Sequence, residues 1–228
     1  MRLAAVAVLA VALAGCGSSS TTSSAGRATL WVTRDRGAQV LHLARVPAGT
    51  SVMQALDRIA SVKTRFGGRY VREVDGLEEH GRTAWFYYVN GYLADRSAAA
   101  YKLRAGDLAW WDYRAWRNPA DDPLVVGAFP QPFLNGYDGQ RRRTVIVSPD
   151  ASAVRALARR LHATIAQAGI GMVASDVNTI EVAPGRTSAR LEFSGPASPG
   201  APIRLSFTGN PNVLLQSRPF RYRYEVEG

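Results

Sequence analysis

The sequence predicts an α+β protein, with two small mixed units in tandem, and three observations carry that reading. Short alternating apolar and polar runs are bounded by turn residues at Asp35-Arg36-Gly37, Asp75-Gly76 and Asn90-Gly91, which is strand and hairpin chemistry. A single apolar stripe at helical spacing, Val52, Ala55, Leu56 and Ile59, interrupts them. The same mixture resumes after Arg143, beyond a segment broken by Pro and Gly.

Residues 29–33 alternate around Leu30 and Val32, residues 40–46 alternate again, and the two runs pair as a hairpin. Pro47-Ala48-Gly49 ends the second run, and Thr50 or Ser51 can N-cap a short helix ending near Ser61. Phe66-Gly67-Gly68 separates that helix from a third strand over residues 69–74. A fourth strand over residues 83–89 leads into Asn90-Gly91, the strongest short-range turn signal in the chain, and residues 108–113 make the last. This order suits a small mixed sheet with one helix across one face.

Ahead of this unit, Arg2 precedes a run of Ala, Val and Leu that closes on Leu13-Ala14-Gly15-Cys16, and Cys16 is the only cysteine. The apolar run is too short to span a bilayer and has the plan of a secretory signal. The segment resembles a bacterial lipobox. That resemblance implies that residues 1–15 are a signal peptide and that Cys16 is lipidated and becomes the new N-terminus. The protein would then be exported and lipid-anchored to the outer face of the cell membrane. An ordinary signal peptide with a chance cysteine is the alternative. Residues 16–26, rich in Ser, Thr and Gly, read as a solvated tether. Without a second cysteine no internal disulfide can form, so stability rests on burial.

The formal charge is +10, and all but two of the 28 basic residues, Lys63 and Lys102, are arginine. The arginines are scattered rather than striped, which speaks against a nucleic-acid partner. A basic surface facing anionic lipid or cell-wall polymer is the milder expectation.

Aromatic residues crowd one segment: Trp85-Phe86-Tyr87-Tyr88, Tyr92, Tyr101, Trp110-Trp111, Tyr113 and Trp116. Adjacent strand residues point to opposite faces, so both sheet faces carry rings, and one helix can cover only one face. Either the second face packs under the segment around residues 124–133, or it is open to a ligand or partner.

Three stretches, Trp85-Phe86-Tyr87-Tyr88-Val89-Asn90-Gly91, Ala100-Tyr101-Lys102-Leu103 and Ala105-Gly106-Asp107 leading into Leu108-Ala109-Trp110-Trp111, resemble the C-terminal β-grasp domain of the transcobalamin and intrinsic factor family. They look closer still to its bacterial relatives in secreted and surface-anchored proteins. The resemblance extends over residues 27–117 and implies a β-grasp domain. In the vitamin carriers this domain lies over one face of a corrinoid while a separate helical barrel holds the other. Carried over, it implies a ligand-binding site at Trp85, Asn90, Gly91, Tyr92, Leu93, Ala94, Asp95 and Trp111, with Arg96 closing the same loop. Nothing in this chain resembles the barrel, so the rest of such a site would come from the second unit, another subunit, or a transporter or envelope protein.

Residues 118–142 form an ordered Pro/Gly/aromatic connection, because Val125, Val126, Phe129, Phe133 and Leu134 carry too much apolar area for a free tether. Residues 143–228 read as a second α+β domain. A strand over residues 144–147 is followed by a helical stripe at Val154, Leu157, Ala158, Leu161, Ile165 and Ala168 closed by Gly169. Strands follow over 172–174, 179–182, 189–193, 203–207 and 221–226.

Catalytic signals are weak. His42, His80 and His162 are far apart, without metal-ligand spacing and without a nearby thiol. Glu78-Glu79 beside His80 reads as a solvated charge patch, and no nucleophile elbow is present. No catalytic residue, metal or required cofactor is assigned, and the chain is not expected to be an enzyme. Two functions remain. One is a membrane-anchored lipoprotein that captures a corrinoid or other flat cofactor for uptake. The other is a cell-envelope adhesion or interaction module that uses the aromatic sheet face.

Overall fold

A computed structural model describes residues 26–118, 121–167 and 175–228. The expected Cys16 lipidation site and nearly all of the tether lie outside the described residues. The first hairpin forms as expected: β1 (Arg27–Arg34) and β2 (Gln39–Pro47) pair antiparallel, with a register shift after Val32. Helix α1 (Val52–Asp57) begins on a full capping box, in which Ser51 accepts from Gln54 N and Gln54 returns the bond to Ser51 N. It stops four residues before Ser61, having buried Val52, Ala55 and Leu56.

Between helix and fourth strand the chain folds into a separate three-stranded sheet: β3 (Val62–Arg65), β4 (Tyr70–Val74) and β5 (Leu77–Glu78). Only β4 was expected. Phe66-Gly67-Gly68, read as a spacer, is the tight turn between β3 and β4, with all three residues at positive φ.

The main sheet then completes itself with β6 (Thr83–Val89), β7 (Tyr92–Leu93) and β8 (Leu108–Ala115). Its order is β2-β1-β8-β6-β7, with β1 and β8 parallel at the centre and the other pairs antiparallel. The fold is α+β, and this unit is a mixed sheet whose single helix shares its core with Leu30, Val32 and Trp111.

Over its described residues 121–142 the connection is ordered and is buried at residues 124–130, with a 3-10 turn at Val126–Ala128 and α2 (Gln131–Leu134). It lies on the second face of the main sheet together with the C-terminal segment. Val125 and Ala128 join Trp31, Tyr88 and Trp110 in one cluster, with Tyr222 and Tyr224 packed against it. Tyr222 meets Trp31 edge-on at 4.7 Å, and Tyr224 meets Trp110 at 5.4 Å. Gly127 donates its N–H to Arg223 O at 2.8 Å, and a Cβ at that position would fall 2.7 Å from the same oxygen, so only glycine allows this closeness. Each ring so covered contributes about 2–3 kcal/mol of transfer free energy. The aromatic centre of the second face is therefore closed within the chain, and its β2 edge is left open.

Beyond the connection, β9 (Thr144–Ser148), β10 (Thr164–Gln167), β11 (Asn178–Ala183), β12 (Ser188–Phe193) and β13 (Ile203–Thr208) form a second sheet, with α3 (Arg155–Leu161) between β9 and β10. Its order is β10-β9-β11-β13-β12, parallel except for β12 against β13. The predicted helix is too long. His162 turns left-handed at φ 48°, caps α3 through Ala158 O and Arg159 O, and frees Thr164 and Ile165 to pair with β9. Ile165 fits a helical stripe and a β-branched strand equally well, which is why spacing misplaced it. Ala168, Gly169 and the strand expected over 172–174 fall outside the described residues. Residues 221–226 do not form a regular strand. They still alternate as a strand would, inner Tyr222 and Tyr224 against exposed Arg221 and Arg223, and make one isolated bridge between Val226 and Ala189. Buried residues of both sheets belong to one contiguous cluster, joined through Phe129, Phe207 and Phe220.

Candidate functional site

Helix α1 is too short to cover the whole inner face of the main sheet. The uncovered part, around β6 and β8, becomes the floor of a cleft of about 970 Å³. Trp85, Tyr87 and Trp111 line it from the sheet, Arg65, Phe66, Arg69 and Tyr70 from the end of the β3–β4 hairpin, and residues 93–98 from the loop after β7. Cross-strand registry assembles the floor. Trp85 pairs with Tyr113 and Tyr87 with Trp111, with ring centroids at 5.1 and 4.9 Å.

The floor is held rigidly. Trp85 Nε1 donates to Leu77 O at 2.9 Å, tying the hairpin sheet to β6. The Tyr87 hydroxyl donates to Arg96 O, tying β6 to the loop, and burial raises its pKa above the ordinary tyrosine range. Trp111 Nε1 is buried without a hydrogen-bond partner. The rim is different: Phe66 is 77% exposed, the most exposed of the large apolar side chains among the described residues, and meets Tyr70 edge-on at 6.5 Å. Burial, with Glu79 beside it, pushes the Tyr70 hydroxyl up to about 12, so it is a neutral donor at physiological pH.

Charges around the rim are mostly paired. Arg65 meets Glu79 at 2.7 Å, and Arg96 meets Asp95 at 2.9 Å and Asp138 at 3.1 Å. Asp95 also accepts from the Tyr137 hydroxyl at 2.7 Å. Burial works to raise the Asp95 pKa, but the Arg96 and Tyr137 bonds outweigh it and hold the carboxyl low. Glu78, beside Glu79 in sequence, pairs with Arg72, and His80 Nδ1 lies 3.1 Å from the Tyr113 hydroxyl. Among the described residues no three His, Cys, Asp or Glu side chains converge as a metal site.

Of the residues expected at a ligand site, Trp85, Leu93, Ala94, Asp95 and Trp111 line this one cleft. Asn90, Gly91 and Tyr92 do not. Asn90 is fully buried at φ 49°; its Nδ2 donates to Asp107 Oδ1 at 2.7 Å and to Gly136 O at 2.8 Å, and its Oδ1 accepts from Leu108 N at 2.8 Å. Gly91 sits under the connection, where a Cβ would meet Val125 O at 3.0 Å. Tyr92 is buried against Tyr137 and Phe193. A turn that must pack beneath the following segment points inward, so these three build the fold. Sequence reasoning missed Phe66, Arg69 and Tyr70. The available signal was an aromatic beside two glycines between short strand-like runs, which marks a hairpin tip.

A family model described as a domain of unknown function (DUF4430) matches residues 49–115, from the turn before α1 to the end of β8. Two solved structures are similar over part of the chain. Haptocorrin in complex with Cbi is 15% identical with a TM-score of 0.34, covering 40% of this chain and 26% of that one. A provisionally named metal binding protein from Ruminococcus gnavus ATCC 29149 is 14% identical with a TM-score of 0.33, covering 40% of this chain and 98% of that one. This chain thus spans about a quarter of haptocorrin. No curated protein matches the chain significantly.

Proposed function

We propose that the cleft between the β3–β4 hairpin and the loop after β7 binds a flat ligand of corrinoid type. We propose further that the protein is a non-enzymatic capture lipoprotein, anchored through Cys16 on the outer face of the cell membrane. The observation that carries the reading is a concave site of about 970 Å³ floored by Trp85, Tyr87 and Trp111, with an exposed Phe66 at its mouth. That volume is at the upper end for small-molecule pockets. The exposed Phe66 ring offers stacking surface to a planar molecule, the floor rings Trp85, Tyr87 and Trp111 being only 4%, 8% and 3% exposed, while Tyr70 and the exposed Arg69 supply donors at the edge. The open side of the cleft is where a transporter or envelope partner would meet a half-covered ligand. The competing adhesion reading needs an exposed aromatic sheet face, and Trp31, Tyr88 and Trp110 are covered by the connection and the C-terminal segment.

Tryptophan fluorescence titrated with cobinamide and cobalamin, corrected for their own absorption, tests the ligand. Saturable quenching, weakened roughly fivefold by Phe66→Ala, is expected, and no quenching at high micromolar ligand would exclude corrinoids. The anchor is tested separately by acyl-label incorporation, which Cys16→Ser should abolish.

A further inference from the structure

Away from the cleft, the free edge of the main sheet carries charge that the fold leaves unneutralised. Strand β2 is the sheet's outer strand, and the register places Thr29 opposite Arg45 and Trp31 opposite Leu43, so these four side chains share the second face. Arg27, the first residue of β1, donates to Arg45 O. From the C-terminal segment, Arg218 and Arg221 lie over the Trp31 ring at 5.0 and 5.5 Å, and Arg218 donates to Thr29 Oγ1 at 3.1 Å. Among the described residues none of these four arginines makes an ion pair with a carboxylate. Burial, and after it the charges of Arg221 and Arg45, lower the Arg218 pKa, as mutual repulsion requires. Beside them, Val40 is 38% and Leu43 49% exposed, two of the few large apolar side chains left open.

We propose that this edge, Arg27, Arg45, Arg218 and Arg221 with Leu43 and Val40, is a docking face for anionic phospholipid headgroups, the arginines meeting phosphates and the two apolar side chains entering the interface. The position of the tether selects a bilayer as the partner. Ten residues, 17–26, separate Cys16 from Arg27, and a Ser/Gly-rich sequence of that length has a typical reach of about 17–19 Å. A chain anchored at Cys16 therefore holds Arg27, and the cluster around it, against the membrane. Arginines close to an anionic leaflet attract it additively, each by about a fivefold factor in affinity. This inference rests on the proposed Cys16 anchor for its geometry but not for its chemistry.

The test uses the full lipidated chain carrying an environment-sensitive dye at Leu43→Cys, placed on vesicles of phosphatidylcholine alone or with 30% phosphatidylglycerol, a composition chosen so that surface charge alone differs. Docking predicts a blue shift of the dye only with phosphatidylglycerol, reversed by 0.5 M salt as Debye screening requires. It also predicts at least a tenfold weaker response in an Arg45→Glu, Arg221→Glu variant, whose sites are exposed. Identical spectra on the two vesicles would overturn the proposal. A shift that follows protein concentration instead of phosphatidylglycerol would also overturn it, and would place a second copy on the edge strand. Flotation of the chain with phosphatidylcholine vesicles reports the anchor by itself. If flotation fails, the anchor reading has failed, and the dye response to phosphatidylglycerol still decides the docking face.

Discussion

Replacing Asn90 by alanine should unfold more of this protein than any exposed change in the cleft. The side chain makes three buried hydrogen bonds, to Asp107, Gly136 and Leu108, and the backbone holds φ at 49°. Three lost bonds at about 1 kcal/mol net give about 3 kcal/mol. The stranded Leu108 N–H adds about 1–2 kcal/mol, while the Asp107 carboxylate, itself 1% exposed, keeps Arg104 N and Asn135 Nδ2 as donors. Alanine in the left-handed region adds about 1 kcal/mol more. The sum is about 5–6 kcal/mol, comparable with the whole stability of many domains. For a chain of this size, that corresponds to a fall in melting temperature of roughly 10–20 °C. Asn90→Gly removes the strain but not the lost bonds, and should recover about 1 kcal/mol. Urea and thermal melts of both variants measure this. A loss below about 1.5 kcal/mol for Asn90→Ala, accompanied by loss of ligand quenching, would refute the structural role and return Asn90 to the ligand.

Trp85→Phe should cost about 1 kcal/mol more than Trp111→Phe in urea melts, because only the Trp85 indole has a partner to lose, Leu77 O. Equal costs would mean that the tie between β5 and β6 is not formed. Phe66→Ala should leave the melting midpoint within about 0.5 kcal/mol of the parent, as its ring is exposed; a large loss would place Phe66 in the core. Arg104 hydrogen-bonded to Asp138, with Arg96 also bound, lowers the Asp138 pKa below its unfolded value. Its stabilisation is therefore complete above about pH 4 and lost as pH falls through the depressed folded value. Asp138→Asn should be destabilised at pH 7 and converge with the parent near pH 2, measured as urea midpoints across pH. A gap that persists in acid would show that charge is not the cause.

The elements of the main sheet were legible where local chemistry and tertiary need agreed. The β1–β2 hairpin, the Ser51 cap and strand β6 follow from alternation, capping and turn residues that nothing downstream overrides. Pattern failed where one residue type serves two structures. Ile165 satisfies helix spacing and strand propensity alike, and the left-handed turn at His162 that decides between them carries no glycine to announce it. The site was half legible for a related reason. The family resemblance implies Trp85 and Trp111 at the site, and the β6–β8 register brings both to the cleft. Whether the following turn points toward a ligand or into the protein depends on what packs over it, and the chain's own connection takes that place above Asn90 and Gly91. The aromatic excess had two explanations for the second face, and packing is the one found there: Trp31, Tyr88 and Trp110 lie under the connection and the C-terminal segment, while Trp85, Tyr87 and Trp111 line the cleft on the other face.

Hydrogen exchange of the full chain with and without cobinamide tests the central claim most directly, because it reports where a ligand sits as well as whether it binds. Slowed exchange confined to the β3–β4 hairpin, residues 62–74, and the loop at residues 93–98 is the predicted result. Protection confined to the second sheet, or none at a cobinamide concentration that saturates quenching, would contradict it.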